Sequence, residues 1–167
     1  MTIKDSGERR NFGTGSVRDM AEGKGRMDLT PLFQVAQLFD GSDKMALCYM
    51  DNFLWSGDTH YLKEAIAYVI LKYFKDRPTA ILELSIHYEE GCNKYGDRNW
   101  QIGDGSGNGG IPVHCYIDSA ARHYMKLIRG DTDERHDRAV LWNLFSAWWT
   151  MDNKPEMVDL PIMGVDV

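Results

Sequence analysis

No apolar run in this sequence approaches the roughly 20 residues that cross a bilayer, so a membrane-spanning helix is not expected. The opening residues, MTIKDSGERRNF, have no apolar core of the kind a secretory signal carries, and a cytoplasmic protein is expected. Cysteine is scarce. Cys48, Cys92 and Cys115 are an odd number without C-x-x-C spacing, which argues against a disulfide frame or a structural zinc site. None of the three has an evident activating neighbour, so no covalent nucleophile is expected. Positive charge is also short, with 19 Lys and Arg against 25 Asp and Glu and a formal charge of −6. That balance excludes broad sequence-independent nucleic-acid binding, and no direct DNA or RNA partner is expected. A local basic pocket for one nucleotide remains open. There is no G-x-x-x-x-G-K-[ST] phosphate loop, no internal repeat and no convincing period-two segment.

What is present fits a single globular domain. With 167 residues and 43% hydrophobic content the chain can bury a real core. The pattern reads as all-α, a compact bundle of about five helices spanning residues 31–155. A polar, glycine-punctuated arm (1–30) precedes it and a tail (156–167) follows it. In the arm, basic residues including Lys24 and Arg26 alternate with glycines whose backbone N–H groups can approach an anion. Apolar spacing predicts a short helix from Pro31 to Asp40 stopped by Gly41, a second capped by Asp43, and a third opened by Asp58 or Thr59. Residues 32–77 carry no evident chemistry and read as scaffold or subunit interface.

The stretch Ile81–Trp100 holds most of the candidate chemistry. Ile81, Leu84, Ser85, Tyr88, Cys92 and Tyr95 recur at the spacing of a buried helical face, behind Pro78 in the first turn. Glu83, His87, Glu90 and Lys94 fall on another face. Such a stripe suits either a solvated surface with i,i+4 pairs or a divalent cation and the phosphates it carries. Gln101–Pro112 is a Gly-rich loop whose formal G-x-G-x-x-G lacks the following helix start of a dinucleotide site. Tyr116–Arg129 is a second periodic helix, with Ile117, Ala120, Ala121, Tyr124 and Ile128 inward and Asp118, Arg122, Met125 and Arg129 on another stripe. Asp131 and Glu134 read as a capping box for a last helix, which encloses Asn143 in an apolar run. That asparagine is either a satisfied core residue or part of a ligand pocket.

Carboxylates and imidazoles on three helices, Glu83, His87, Glu90, Asp118, His123, Glu134, His136 and Asp137 among them, lie beside Lys94, Arg98 and Arg122. Oxygen-rich sets hold Mg²⁺ or Mn²⁺, and the basic groups would neutralise phosphate oxygens. The combination predicts metal-assisted phosphoanhydride hydrolysis by an activated water.

Three blocks, Thr14–Pro31, Ile81–Gly103 with its KYGDRNW, and Ile111–Thr150, resemble small, mostly phage-borne dATP/dGTP diphosphohydrolase-like proteins related to the MazG-type all-α pyrophosphohydrolases. The resemblance implies conversion of a purine deoxynucleoside triphosphate to monophosphate and pyrophosphate with Mg²⁺ or Mn²⁺. The wider superfamily places metal carboxylates as E-x-x-E and E-x-x-D. Glu134-Arg-His-Asp137 fits the second literally, whereas the first helix offers only Glu83, His87 and Glu90 as nearest candidates. On this reading Glu83, His87, Glu90, Glu134 and Asp137 bind metal, and Glu83, Glu90, Asp118, His123 and His136 surround the reacting centre. Lys94, Arg98 and Arg122 hold phosphates, while Asn99, Trp100 and Asn143 contact base or sugar, Trp100 by stacking. Lys24 and Arg26 fold over the triphosphate. A homo-oligomer is expected. Two rival readings remain. One is an HD-type phosphohydrolase built on His123, His136-Asp137 and a downstream Asp152 or Asp159, and the other is a non-catalytic protein that binds nucleotide or a host factor.

Overall fold

The computed structural model describes Gly7 and residues 9–11, 17–19, 22–101 and 110–160. The Gly-rich loop at 102–109, the first six residues, the rest of the arm and the tail beyond Leu160 lie outside the described residues. The architecture is all-α, as the periodicity predicts. Six α-helices occur among the described residues: α1 (Leu32–Ala36), α2 (Gly41–Ser56), α3 (Thr59–Tyr73), α4 (Arg77–Tyr95), α5 (Val113–Arg129) and α6 (His136–Asn153). The arm adds a small antiparallel ribbon, β1 (Arg9–Asn11) with β2 (Val17–Asp19), in which Arg10 lies opposite Arg18. None of the helices is long and apolar enough to cross a membrane among the described residues.

The helices form two antiparallel pairs, α2 with α3 and α5 with α6, and α3 and α4 both pack on α6. Phe53, Leu47, Leu62, Tyr116, Tyr124 and Leu141 are fully buried between them. Burying a large apolar side chain contributes about 1.5–3 kcal/mol, so this shared core dominates the stability.

Several helix ends differ from the sequence expectation. Helix α2 begins at Gly41 behind an extended Asp40, and Asp43 does not cap it. Instead Asp43 is buried and accepts from Tyr73 Oη and Tyr124 Oη, each at 2.9 Å, and from Lys72. Three donors from two other helices satisfy the carboxylate better than one backbone N–H would. The expected cap at Asp58 does form, accepting from His60 N at 2.8 Å. Helix α4 stops at Tyr95, five residues short of Trp100, because Gly96 turns the chain at φ 90°. Its buried face is also rotated. Ala80, Leu84 and His87 point inward, whereas Ile81, predicted for the core, is 46% exposed beside exposed Leu82 and Ile86. The expected capping box at Asp131 and Glu134 is absent. Gly130 closes α5 at φ 86°, with Gly130 N bonded to Leu127 O and Asp131 N to Lys126 O, and α6 starts only at His136. That tight turn folds Glu134 and His136 back toward α5.

Candidate functional site

A cavity of about 400 Å³ opens between α4, α5, α6 and the arm. No residue of α1, α2 or α3 lines it, in line with the reading of 32–77 as scaffold. One wall is aromatic. Trp100 meets Trp142 and Trp149 edge-on, with ring centroids 6.4 and 5.0 Å apart, and Tyr88 lies 5.6 Å from Trp100. The lining is also cationic, with Arg10, Arg18, Lys24, Arg98, Arg122 and Lys126 against two carboxylates among the described residues, Asp118 and Glu134. A net-acidic protein has concentrated cations in one concavity, where the field favours an anion.

The arm supplies part of this charge. Arg18 donates to Asn143 Oδ1 at 3.0 Å, and its guanidinium lies over the rings of Tyr116 and Trp142 at 5.2 and 5.7 Å. Asn143 Nδ2 in turn donates to Ala139 O at 2.8 Å, so the asparagine is both satisfied and part of the pocket. Asp118 accepts from Met27 N at 2.7 Å and from Arg122, which ties the end of the arm to α5. Arg18 Nη1, Arg122 Nε and His87 Nδ1 are buried without a hydrogen-bond partner among the described residues. Unsatisfied buried polar groups are costly, and they mark a site that a ligand or water completes.

Many of the sequence candidates meet here. Lys24, His87, Arg98, Asn99, Trp100, Asp118, Arg122, His123, Glu134 and Asn143 all line the cavity. Asn99 and Trp100 reach it because Arg98 adopts φ 56°, which turns the chain sharply after α4. His136 sits directly behind His123, its Nδ1 2.9 Å from His123 Nδ1. Burial holds the His87 imidazole down to about 4, with a further push from Arg138, so it is neutral near pH 7. Burial, then His136, likewise holds His123 well below the usual histidine range.

Other candidates lie elsewhere. Arg26 does not line the cavity and is clamped on Asp28 by bonds of 2.7 and 2.5 Å, and Lys94 lies over the Tyr95 ring at 4.9 Å, outside the lining. Glu83, Glu90 and Asp137 do converge, but on arginines. Arg138 Nε bonds Glu83 Oε2 at 2.6 Å and its Nη1 is 3.9 Å from Glu90, while Arg135 reaches Glu83 at 3.1 Å and Asp137 at 2.8 and 3.0 Å. Two guanidiniums stand where a divalent cation was expected. That donor set does not fit a metal as arranged, since the arginines already supply its counter-charge. Among the described residues, the groups of three or more ligand atoms lying within 4.8 Å of one another are His123, Glu134 and His136, and Asp131, Asp133 and His136. The first is the set that reaches the cavity.

Besides Arg10, sequence reasoning missed four groups. Arg18 was only one basic residue of a polar arm, and Trp142 only part of an apolar run. Lys126 follows Arg122 by four residues on α5, a spacing that could have signalled it. The fourth is Cys115, which does have an activating setting. His114 Nε2 lies 3.4 Å from Cys115 Sγ, Asp159 holds the other ring nitrogen, and Arg10 reaches the sulfur at 3.4 Å. Asp159 raises His114 to about 10, and although burial pushes the thiol up, His114 and the arginines bring it below the ordinary cysteine value. The tail residue Asp159 is therefore docked, and its 45-residue separation from His114 hid the pair from any local motif.

Residues 57–160, more than half of the chain, match the family described as dATP/dGTP diphosphohydrolase, N-terminal. No curated protein and no solved structure matches the chain.

Proposed function

Since the chain belongs to the dATP/dGTP diphosphohydrolase family, we propose that its cavity binds a purine deoxynucleoside triphosphate and hydrolyses it to monophosphate and pyrophosphate. The observation that carries this reading is the meeting of aromatic rings and clustered cations in one cavity, where buried guanidinium donors of Arg18 and Arg122 lack a partner among the described residues. A triphosphate is a large anion joined to a flat base, and the cavity offers cations for the one and aromatic rings for the other.

The base stacks against Trp100 and Trp142, with Asn143 and Asn99 supplying polar contacts. Arg18, Arg98, Arg122, Lys24 and Lys126 neutralise the phosphate oxygens and hold the chain of phosphates in line. Water attacks the α-phosphorus, the bond from that phosphorus to the bridging oxygen breaks, and pyrophosphate leaves with that oxygen. His87, neutral and with Nδ1 unpartnered, can accept the proton of the attacking water. Mg²⁺ or Mn²⁺ accompanies the substrate and supplies further charge neutralisation when bound. The exposed Ile81, Leu82 and Ile86 on α4 support a homo-oligomer, since contiguous apolar surface of this kind commonly marks an interface.

The test is turnover of each dNTP by the purified protein with Mn²⁺ or Mg²⁺, products separated by ion exchange. Monophosphate with pyrophosphate is expected. Tripolyphosphate would favour the HD-type reading, although Asp137 is held by Arg135 and Asp159 by His114. Absence of turnover with every dNTP and NTP would overturn the enzyme reading.

A further inference from the structure

The geometry points to a transition-metal site formed by His123, Glu134 and His136 at the cavity wall, in place of the α4 carboxylates expected from the sequence. The two Nδ1 atoms are 2.9 Å apart, and Glu134 Oε2 lies 3.7 Å from His123 Nδ1 and 3.9 Å from His136 Nδ1. Two nitrogens bound to one metal at about 2.05 Å are separated by about 2.9 Å when they subtend a right angle at it. The imidazoles thus already stand at the edge of a coordination polyhedron. A small rotation of Glu134 brings its oxygen from this separation to the about 3 Å of neighbouring octahedral ligands.

The surroundings suit ligation. His136 Nε2 faces Asp133 Oδ1 at 2.8 Å, which places the ring proton on Nε2 and leaves Nδ1 as the acceptor, able to take a metal in place of the His123 contact. The His136 side chain is fully buried, fixed at the start of α6, so its aim is set by the fold. His123 and Glu134 line the cavity, so the remaining coordination positions face the space assigned to the phosphates. His87 is buried in the lining of the same cavity with Nδ1 unpartnered, outside this set of three. Two imidazoles and one carboxylate are borderline ligands. They select Mn²⁺, Co²⁺ or Zn²⁺ over Mg²⁺, which demands oxygen. The neighbouring group of Asp131, Asp133 and His136 is the poorer candidate, because Arg129 already holds Asp131 at 2.7 and 2.5 Å.

The purpose of such a metal rests on the triphosphate reading, but its existence does not. The experiment is therefore a titration of the full chain with Co²⁺ in the absence of nucleotide, followed by visible absorption and by calorimetry, with Mg²⁺ as competitor. One equivalent of Co²⁺ is expected, bound at least tenfold more tightly than Mg²⁺. Glu134→Gln and His123→Asn should weaken it about 100-fold, and Asp133→Asn about 10-fold or more through the ring it orients. Glu134 and His123 line the cavity rather than the core, and Glu134→Gln keeps side-chain size, which protects the fold. Undiminished Co²⁺ binding in both Glu134→Gln and His123→Asn would overturn the site, as would its loss in Glu83→Gln or Glu90→Gln instead. Metal binding as expected without dNTP turnover would sink the proposed reaction and leave this site standing, and turnover with no Co²⁺ bound here would do the reverse.

Discussion

Replacing Arg138 by methionine removes a guanidinium whose side chain is only 9% exposed while keeping the length of its apolar stem. In the native protein that group bonds Glu83 through Nε at 2.6 Å and approaches Glu90 at 3.9 Å. Truncating one partner of a fully buried pair costs about 3–5 kcal/mol, because a charge is left behind without compensation. Here Glu83 is 29% exposed and keeps Arg135 at 3.1 Å, and Glu90 is 16% exposed, so water and Arg135 recover part of the loss. About 2 kcal/mol remains. For a chain of this size that is a drop in Tm of about 4–8 °C. Thermal unfolding followed by circular dichroism measures it. A cycle with Glu83→Gln isolates the pair, with a coupling of about 1–2 kcal/mol expected. An unchanged Tm, or a cycle without coupling, would refute the view that arginines neutralise these carboxylates. A metal would then be needed there after all.

Three further outcomes follow from the same contacts. Asp43→Ala leaves the donors of Lys72, Tyr73 and Tyr124 without their shared acceptor and should cost about 3 kcal/mol, read as a Tm loss of about 6–12 °C; a loss under about 2 °C would count against the network. The His114–Asp159 pair gives a pH signature. His114 is raised from 6.5 to about 10, so its contribution is full below pH 6.5 and is lost as pH rises toward 10, while Asp159, lowered from 3.8, loses its part in acid. Tm of the parent should therefore fall between pH 6.5 and 10 more steeply than that of His114→Asn, and the same variant should slow alkylation of Cys115 near pH 7; parallel Tm curves would remove the pair from the account. Trp142→Leu should raise the KM for dNTPs by about 5–30-fold, matching about 1–2 kcal/mol of lost stacking, with a smaller effect on inorganic tripolyphosphate as competitor. An unchanged KM would move the base to another wall.

The helical fold was legible because its signals are local. Apolar spacing over α3, α5 and α6, the cap at Asp58 and the stop at Gly130 lie within a few residues of what they govern. The interior of α4 was harder to place. Its apolar residues surround the helix, and only packing against α6 decides that His87 turns inward and Ile81 outward. The site shows the same division. KYGDRNW and the α5 stripe brought Arg98, Asn99, Trp100, Asp118 and Arg122 to one cavity. Glu83, Glu90 and Asp137 had the right chemistry, but Arg135 and Arg138, which lie beside Asp137 in sequence, claimed them. Arg18 and Asp159 depend on segments far from their partners, and no periodicity reports such a meeting.

The absence of α1, α2 and α3 from the cavity lining gives the chain a practical partition. Substitutions on the outward faces of α2 and α3 can alter robustness, expression or assembly while the chemistry on the other helices stays untouched. An engineer can therefore strengthen one half first, storing tolerance, and spend later rounds of mutation redrawing which nucleotide the other half accepts.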